Sequence, residues 1–179
     1  HKACKMSFEG HPNNTTREHL QKLYDLGFRR VSFGVQSYSE TVQKAINRIQ
    51  PFENVAKVTY LAREIGYTSI SHDLIYGLPF QTLGDIYDTI EKTKSLVTDR
   101  LAFYSYAHMA WIKGNGQRGF KDEDVPKDEQ KNQMSEEGKQ TVDESGCPEI
   151  GMDHFAIPED AMTVAFQEGN LHRNFMGYS

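Results

Sequence analysis

The chain has 179 residues, 37% hydrophobic and 25% charged, enough to bury the core of one domain. Its 20 lysines and arginines against 25 aspartates and glutamates leave a net charge of −5, which gives nucleic acid or an anionic membrane nothing to bind. No apolar run is long enough to span a bilayer, no signal-peptide pattern opens the chain, and the two cysteines lie far apart, so a reducing cytoplasm is expected. The chain starts at His1 without Met and stops at Ser179 with no tail, and both ends are read as cut from a longer protein.

Residues 5–9 (KMSFE) alternate, with Lys5, Ser7 and Glu9 on one face and Met6 and Phe8 on the other, and Gly10 and Pro12 break the strand. Thr15 and Glu18 have capping-box spacing and open a helix with Leu20, Leu23 and Tyr24 on one face, stopped by Gly27. A second strand covers Arg30–Gln36, with Val31, Phe33 and Val35 on one face and Ser32, Gly34 and Gln36 on the other. A turn at residues 37–39 leads into a short helix that delivers Arg48, limited by Pro51. A longer helix, Phe52–Ile65, places Val55, Val58, Leu61 and Ile65 on one side and closes at Gly66. The third strand, residues 68–75, sets Ser69, Ser71 and Asp73 against Ile70, His72 and Leu74. The loop Tyr76-Gly77-Leu78-Pro79 follows, then a helix over residues 82–97 with Ile86, Ile90 and Leu96 inward, then a strand over residues 101–107. Residues 108–119 read as loop, 121–140 as a solvated charged helix, 149–155 as one more strand and 158–168 as a last helix. Residues 171–179 carry no secondary-structure signal.

Four β-then-α units predict a parallel sheet. In the first three strands one face is apolar and the other small and polar, ending in Glu9, Gln36 or Asp73. A doubly wound sheet would be apolar on both faces. The pattern instead predicts an α/β fold of partial (β/α) barrel type, with helices outside and a polar lumen. Glu9, Gln36 and Asp73 would then ring one mouth and accept hydroxyl or ammonium donors, while Arg48 could fork onto a carboxylate or phosphate. Each could equally cap loop amides or pair with a neighbouring charge. The glycines lack dinucleotide-fold or P-loop spacing. His72 falls on the apolar face and reads as a packing histidine, and His108, Asp153 and His154 have no zinc-site spacing. Cys147, beside Pro148, has no partner and reads as inert.

Taken together, EGHPNNTT (residues 9–16), GFRRVSFGVQSYSETVQKAINRIQP (27–51), DLIYGLPFQT (73–82), FYSYAH (103–108), GMDHFA (151–156) and LHRNFMGY (171–178) closely resemble the oxygen-independent coproporphyrinogen III dehydrogenases, radical S-adenosylmethionine (SAM) enzymes of haem synthesis. The resemblance runs nearly end to end and implies the same partial barrel. It implies that a [4Fe–4S] cluster reduces SAM to a 5′-deoxyadenosyl radical, which takes a β-hydrogen from a propionate of coproporphyrinogen III. Loss of CO2 and an electron leaves a vinyl group, and two such events give protoporphyrinogen IX. Carried over by position, Glu9 would contact the cluster-bound SAM. Gln36, Arg48, Asp73 and the backbone at Ala107 would hold a second SAM, and Phe175 would help wall the substrate cavity. The resemblance further implies an unidentified electron donor, a cytoplasmic monomer, and no nucleic-acid or membrane partner.

One departure bears on the iron. The family binds its cluster through C-x3-C-x2-C, and Cys4 would be the middle ligand, but Ser7 stands where the third cysteine belongs. A seam between Cys4 and Lys5 is expected, with a C-terminal domain also missing after Ser179, so that residues 1–179 are the central part of the catalytic barrel and by themselves inactive. The rival readings are a haem chaperone of the same superfamily and an iron-free sugar- or nucleotide-binding barrel using Glu9, Gln36 and Asp73.

Overall fold

The computed structural model describes residues 6–108, 120–174 and 177–178. Four parallel strands form the centre: β1 (Ser7–Gly10), β2 (Arg30–Gln36), β3 (Ser69–Tyr76) and β4 (Arg100–Ser105). Between them run α1 (Arg17–Asp25), α2 (Glu40–Ala45), α3 (Phe52–Ile65) and α4 (Leu83–Ser95). The long α5 (Asp128–Glu144) then leads to β5 (Glu149–Gly151), β6 (His154–Ala156) and α6 (Ala161–Gln167). The sheet order is β1-β2-β3-β4-β6-β5, and β7 (Arg173–Asn174) pairs separately with β8 (Gly177–Tyr178).

The outer face is the apolar one. Val31, Phe33, Val35, Ile70 and Leu74 are at most 2% exposed and meet the buried stripes of α3 and α4, including Val55, Val58, Ile86 and Ile90. These are the positions that the strand alternation and helix spacing selected, because a strand presents every second residue to one face. His72 belongs to this layer. It is fully buried against Phe33, its Nε2 lies 2.9 Å from Thr59 Oγ1, and desolvation drives its pKa down to about 3. It is a neutral packing group.

Several local expectations shift. The first strand includes Gly10. The cap of α1 is Thr16 with His19, not Thr15 with Glu18: Thr15 Oγ1 donates to the His11 carbonyl in the preceding turn, which leaves extended Thr16 to accept from the His19 amide. Arg48 is not on the short helix but three residues beyond its end, after Asn47 in the left-handed region at φ 52°. β4 stops at Ser105, so Ala107 lies past the strand. The sheet is not wholly parallel. Residues 149–155 turn back at Met152 and Asp153, both at positive φ (48° and 67°), and make the hairpin β5–β6, whose second strand runs antiparallel to β4. Residues 173–174 and 177–178, where no secondary structure was expected, pair as the β7–β8 ladder.

The charged helix is the largest correction. α5 is not merely solvated: Met134 and Val142 join the central core with Phe103, Ile86 and Phe155. Gly138 is the reason it can dock so closely. A Cβ there would come within 2.5 Å of two Phe103 ring atoms. Charge counting missed this because the contact stripe is only Met134, Gly138 and Val142, at i, i+4 and i+8.

α6 is held from below by one buried carboxylate. Asp160 caps the helix by accepting from the Met162 amide at 2.7 Å, and also accepts from Ser69 Oγ at 3.0 Å and Arg100 Nε at 2.9 Å. Burial would push this carboxyl up, but the Arg100 guanidinium and these hydrogen bonds outweigh it and hold the group below the usual carboxylate range. Gly138→Ala tests the packing of α5. Glycine-to-alanine in a helix interior ordinarily stabilises by about 1 kcal/mol, whereas here overpacking against Phe103 should destabilise by about 1–3 kcal/mol, read from thermal and denaturant melts.

Candidate functional site

The lumen face of the sheet carries Ser7 and Glu9 on β1, Arg30 and Ser32 on β2, Ser69, Ser71 and Asp73 on β3, and Arg100, Ala102 and Tyr104 on β4. His154 of β6 completes the row, and a cavity of about 380 Å³ lies against this wall. β1, β2 and β3 each turn their polar register to the same side, which is what the alternation demanded, and β4 and β6 add to it.

At the carboxyl end of β2 the ladder slips. Gly34 pairs with Asp73, but Gln36 pairs with Leu74, and Gln36 turns into the left-handed region at φ 67°. The carbonyls at this break take side-chain donors: Arg48 Nη2 reaches Gly34 O at 2.8 Å, and Gln50 Nε2 reaches Gly34 O at 3.0 Å and Val35 O at 3.2 Å. Gln43 fastens the other side, donating to Ser37 O and Gln50 O and accepting from the Gln50 amide at 2.8 Å. Gln43 and Gln50 are thus positioning residues that the sequence reading passed over. Their signal was present as two amides seven apart, flanking the turn that presents Arg48.

Gly34 is where the functional groups meet. A Cβ built on it would stand 2.8 Å from Gln36 Nε2, 3.0 Å from Arg48 Nη2 and 3.7 Å from Glu9 Oε1. A carboxylate, an amide and a guanidinium therefore share the space that a missing side chain leaves open. Burial lowers the Arg48 pKa, opposed by the charge of Glu9, and Arg48 Nε is buried without a hydrogen-bond partner. Asp73 lies on the neighbouring strand, with Ser32 Oγ donating to its Oδ2 at 2.7 Å. Burial, aided by the charge of Glu9 and opposed by the Ser32 hydrogen bond, raises the Asp73 carboxyl to about 6.

Of the candidates, Glu9, Gln36, Arg48 and Asp73 come together. Ala107 lines a second recess beyond β4, beside Tyr106, whose carbonyl accepts from Lys131 Nζ at 2.7 Å. Cys4 and Phe175 lie outside the described residues. Cys147 packs against the helix-side core, and burial raises its thiol pKa, as an inert cysteine requires. His11 and His19 are engaged at the β1–α1 turn, and His108 Nε2 lies 3.0 Å from Asp122 Oδ1. No three histidine, cysteine or acidic side chains are grouped as metal ligands among the described residues. The sequence reading set His154 aside for lack of zinc spacing, yet it faces the lumen next to Tyr104.

The Asp73 shift has a consequence for stability. Its pKa in the folded chain lies above the unfolded value, so the folded state holds the proton more tightly. Stability from this group is full below about pH 4 and is lost as pH rises through about 6, on the order of 2–3 kcal/mol in all. Asp73→Asn should remove this loss and melt at a higher temperature than the parent at pH 8, with the two converging near pH 4.

Comparison with known proteins follows the same lines. Residues 3–93, more than half of the chain, match the model of the radical SAM superfamily. The chain is 43% identical over 175 residues to an oxygen-independent coproporphyrinogen III oxidase of Helicobacter pylori strain J99, and 42% identical over 176 residues to that of Escherichia coli K12. Each alignment covers 98% of this chain but only 38% of the relative, so the chain spans about two fifths of the length of these proteins. The solved structure described as coproporphyrinogen III oxidase from Escherichia coli, a radical SAM enzyme, superposes with a TM-score of 0.92 at 42% identity, over 98% of this chain and 40% of that one. An archaeal Elp3 from Methanocaldococcus infernus shares the fold alone, at a TM-score of 0.59 and 19% identity over 75% of this chain and 32% of that one. With its partial (β/α) barrel, its polar lumen and the match over its first half, the chain belongs to the radical SAM superfamily.

Proposed function

We propose that this chain is the central part of the catalytic barrel of an oxygen-independent coproporphyrinogen III oxidase, which converts two propionates of coproporphyrinogen III to vinyl groups with loss of CO2 and gives protoporphyrinogen IX. The observation that carries this reading is the convergence of Glu9, Gln36 and Arg48 over Gly34 beside Asp73, in a chain 36–43% identical over nearly its whole length to relatives of that name.

The residues present fit SAM. Its carboxylate, ammonium and ribose hydroxyls match a guanidinium with a buried unpartnered Nε, two carboxylates and an amide around a cradle that a single Cβ would fill. Asp73, ionised above about pH 6, accepts from ribose hydroxyls; Arg48 pairs with the amino-acid carboxylate; Gln36, which can both donate and accept, fixes the ligand's register. With a second SAM beside the first, Glu9 serves one molecule while Gln36, Arg48, Asp73 and the Ala107 backbone serve the other. Bound here, SAM supplies on reductive cleavage the hydrogen-abstracting group that begins oxidation of a propionate.

The residues present do not fit the iron–sulfur cluster. Three thiolates are needed and the chain holds two cysteines, one of them, Cys147, on the helix side of the sheet, so these residues alone cannot hold the cluster. Cys4 is the candidate ligand of the two, and the other thiolates must come from residues outside these 179. An external electron donor would supply the electron that cleaves SAM, and an external acceptor would take the electron released with each CO2. Among the described residues no helix is long and apolar enough to cross a membrane.

The reaction is tested by incubating the full-length protein anaerobically with coproporphyrinogen III, SAM and a low-potential reductant. Appearance of protoporphyrinogen IX is expected, whereas haem retention without turnover would replace this reading with a chaperone. At the level of the site, Gly34→Ala should weaken SAM binding at least tenfold, since its Cβ displaces Gln36 Nε2 and Arg48 Nη2. Its melting temperature should change little, because both clashing atoms are ends of flexible side chains. Gln36→Ala should weaken SAM binding in the same assay, and Arg48→Lys should already impair it, because an ammonium cannot replace a planar fork.

A further inference from the structure

Ser32 stands between the two carboxylates of the lumen. On β2 it pairs with Glu9 of β1 on one side and with Ser71 of β3 on the other, and Asp73 is the next lumen position along β3. Side chains two residues apart share a face of a strand, so Asp73 lies diagonally across from Ser32 on the same wall. Ser32 Oγ spans that diagonal and donates to Asp73 Oδ2 at 2.7 Å, whereas Oδ1 takes no hydrogen bond among the described residues. Ser32, Glu9 and Asp73 all line the cavity of about 380 Å³.

A serine has one proton to give, so Ser32 cannot serve both carboxylates. Glu9 turns toward Arg48 instead: its Oε1 lies 3.7 Å from the Cβ position over Gly34, which Arg48 Nη2 approaches to 3.0 Å. The two carboxylates are thus sorted by their partners, Glu9 by a guanidinium and Asp73 by a hydroxyl. The other charged or titratable groups on this wall are Arg30 of β2, Arg100 and Tyr104 of β4 and His154 of β6, and Arg100 is committed to Asp160. Burial and the charge of Glu9 push Asp73 toward its neutral acid, and the Ser32 hydrogen bond opposes them. The balance matters for binding, because a carboxylate only accepts while the neutral acid presents a donor of its own.

We infer that Ser32 is a positioning residue of this site: its hydroxyl holds Asp73 Oδ2, so that Asp73 meets the ligand through Oδ1 and meets it as an acceptor. Ser32 acts through Asp73, and its role rests on the reading of Asp73 as the acceptor for the ribose hydroxyls of SAM. Because the carboxylate is the form that accepts, SAM affinity rises with pH through the Asp73 pKa, near 6, and levels above it. Without the Ser32 donor the carboxylate is less stable, and the rise moves to higher pH.

The test uses the full-length protein, anaerobically reconstituted, with SAM affinity measured by equilibrium dialysis between about pH 6 and pH 8. Ser32→Ala should move the rise up by about one pH unit, so that its deficit against the parent grows about fivefold from pH 8 to pH 6. Ser32→Thr keeps the hydroxyl and should follow the parent profile. In an Asp73→Asn background, where position 73 no longer titrates, Ser32→Ala should add a deficit that is flat with pH. A Ser32→Ala deficit equal at every pH, or no deficit at all, overturns the assignment. So does a Ser32→Thr profile that matches Ser32→Ala while the melting temperature is held. Thermal melts of the same proteins need no ligand: the gap between parent and Ser32→Ala should widen as pH rises from about 4 to 8, because the lost hydrogen bond is to the ionised form. If the parent binds no SAM, the proposed function of the site fails, while the melts still decide whether Ser32 governs Asp73, and a constant gap refutes it.

Discussion

The structure turns on one backbone carbonyl. Gly34 O sits where β2 leaves the sheet, and it takes both the Arg48 guanidinium and the Gln50 amide. A polar backbone group at the end of a buried strand must find partners, because leaving it unpaired costs about 1–3 kcal/mol. Here the partners are side chains from the segment after α2. Satisfying the strand end and aiming Arg48 at the mouth are therefore one event. The glycine is needed for the same reason, since any side chain at position 34 would fill the space in which Arg48, Gln36 and Glu9 converge.

The two faces of the sheet divide the labour. The outer face buries Val31, Phe33, Val35, Ile70 and Leu74 under helices and supplies the hydrophobic stabilisation, at roughly 1.5–3 kcal/mol for each fully buried side chain. The lumen face can hold charge because the stability comes from elsewhere. Asp73 shows the cost: burial and the neighbouring Glu9 charge oppose its ionisation, so its working state near neutral pH is strained relative to the unfolded chain. A donor-rich cationic ligand, such as the SAM proposed above, would relieve that strain.

Charge is also graded along the lumen. Glu9 and Asp73 lie toward the carboxyl ends of the strands, and Arg30 and Arg100 toward the amino ends, where Arg100 is committed to Asp160. Burial and the nearby Arg100 charge lower the pKa of Arg30. The Arg100–Asp160–Ser69 cluster closes the floor and ties α6 to β3 and β4 in one network.

Much of this is written in local pattern. Alternation in residues 30–36 and 69–76 told which face was polar, because a strand has a period of two and burial enforces it. Glu9, Gln36 and Asp73 were legible as a set for that reason, and His72 as a packing residue for the converse one. What the pattern lacked was distance. α5 looked solvated because its contact stripe includes a glycine, which carries no hydrophobic signal until Phe103 is placed against it. The turn at Met152 and Asp153 was read through as strand because left-handed backbone at these residue types leaves little trace in sequence. Arg48 was expected from a helix, but its reach is set by Gln43 and Gln50 across a turn. The Tyr104–His154 pair joins strands that are antiparallel neighbours only after α5 has crossed the outside of the sheet. The sequence by itself determined the alternating βα framework, the polar register of its strands and the family they belong to, since those depend on periodicity and motif. Only the tertiary structure decided which carboxylate is raised, which glycine must stay bare and which hydroxyl holds Asp73, because those depend on residues far apart in the chain sharing one desolvated space.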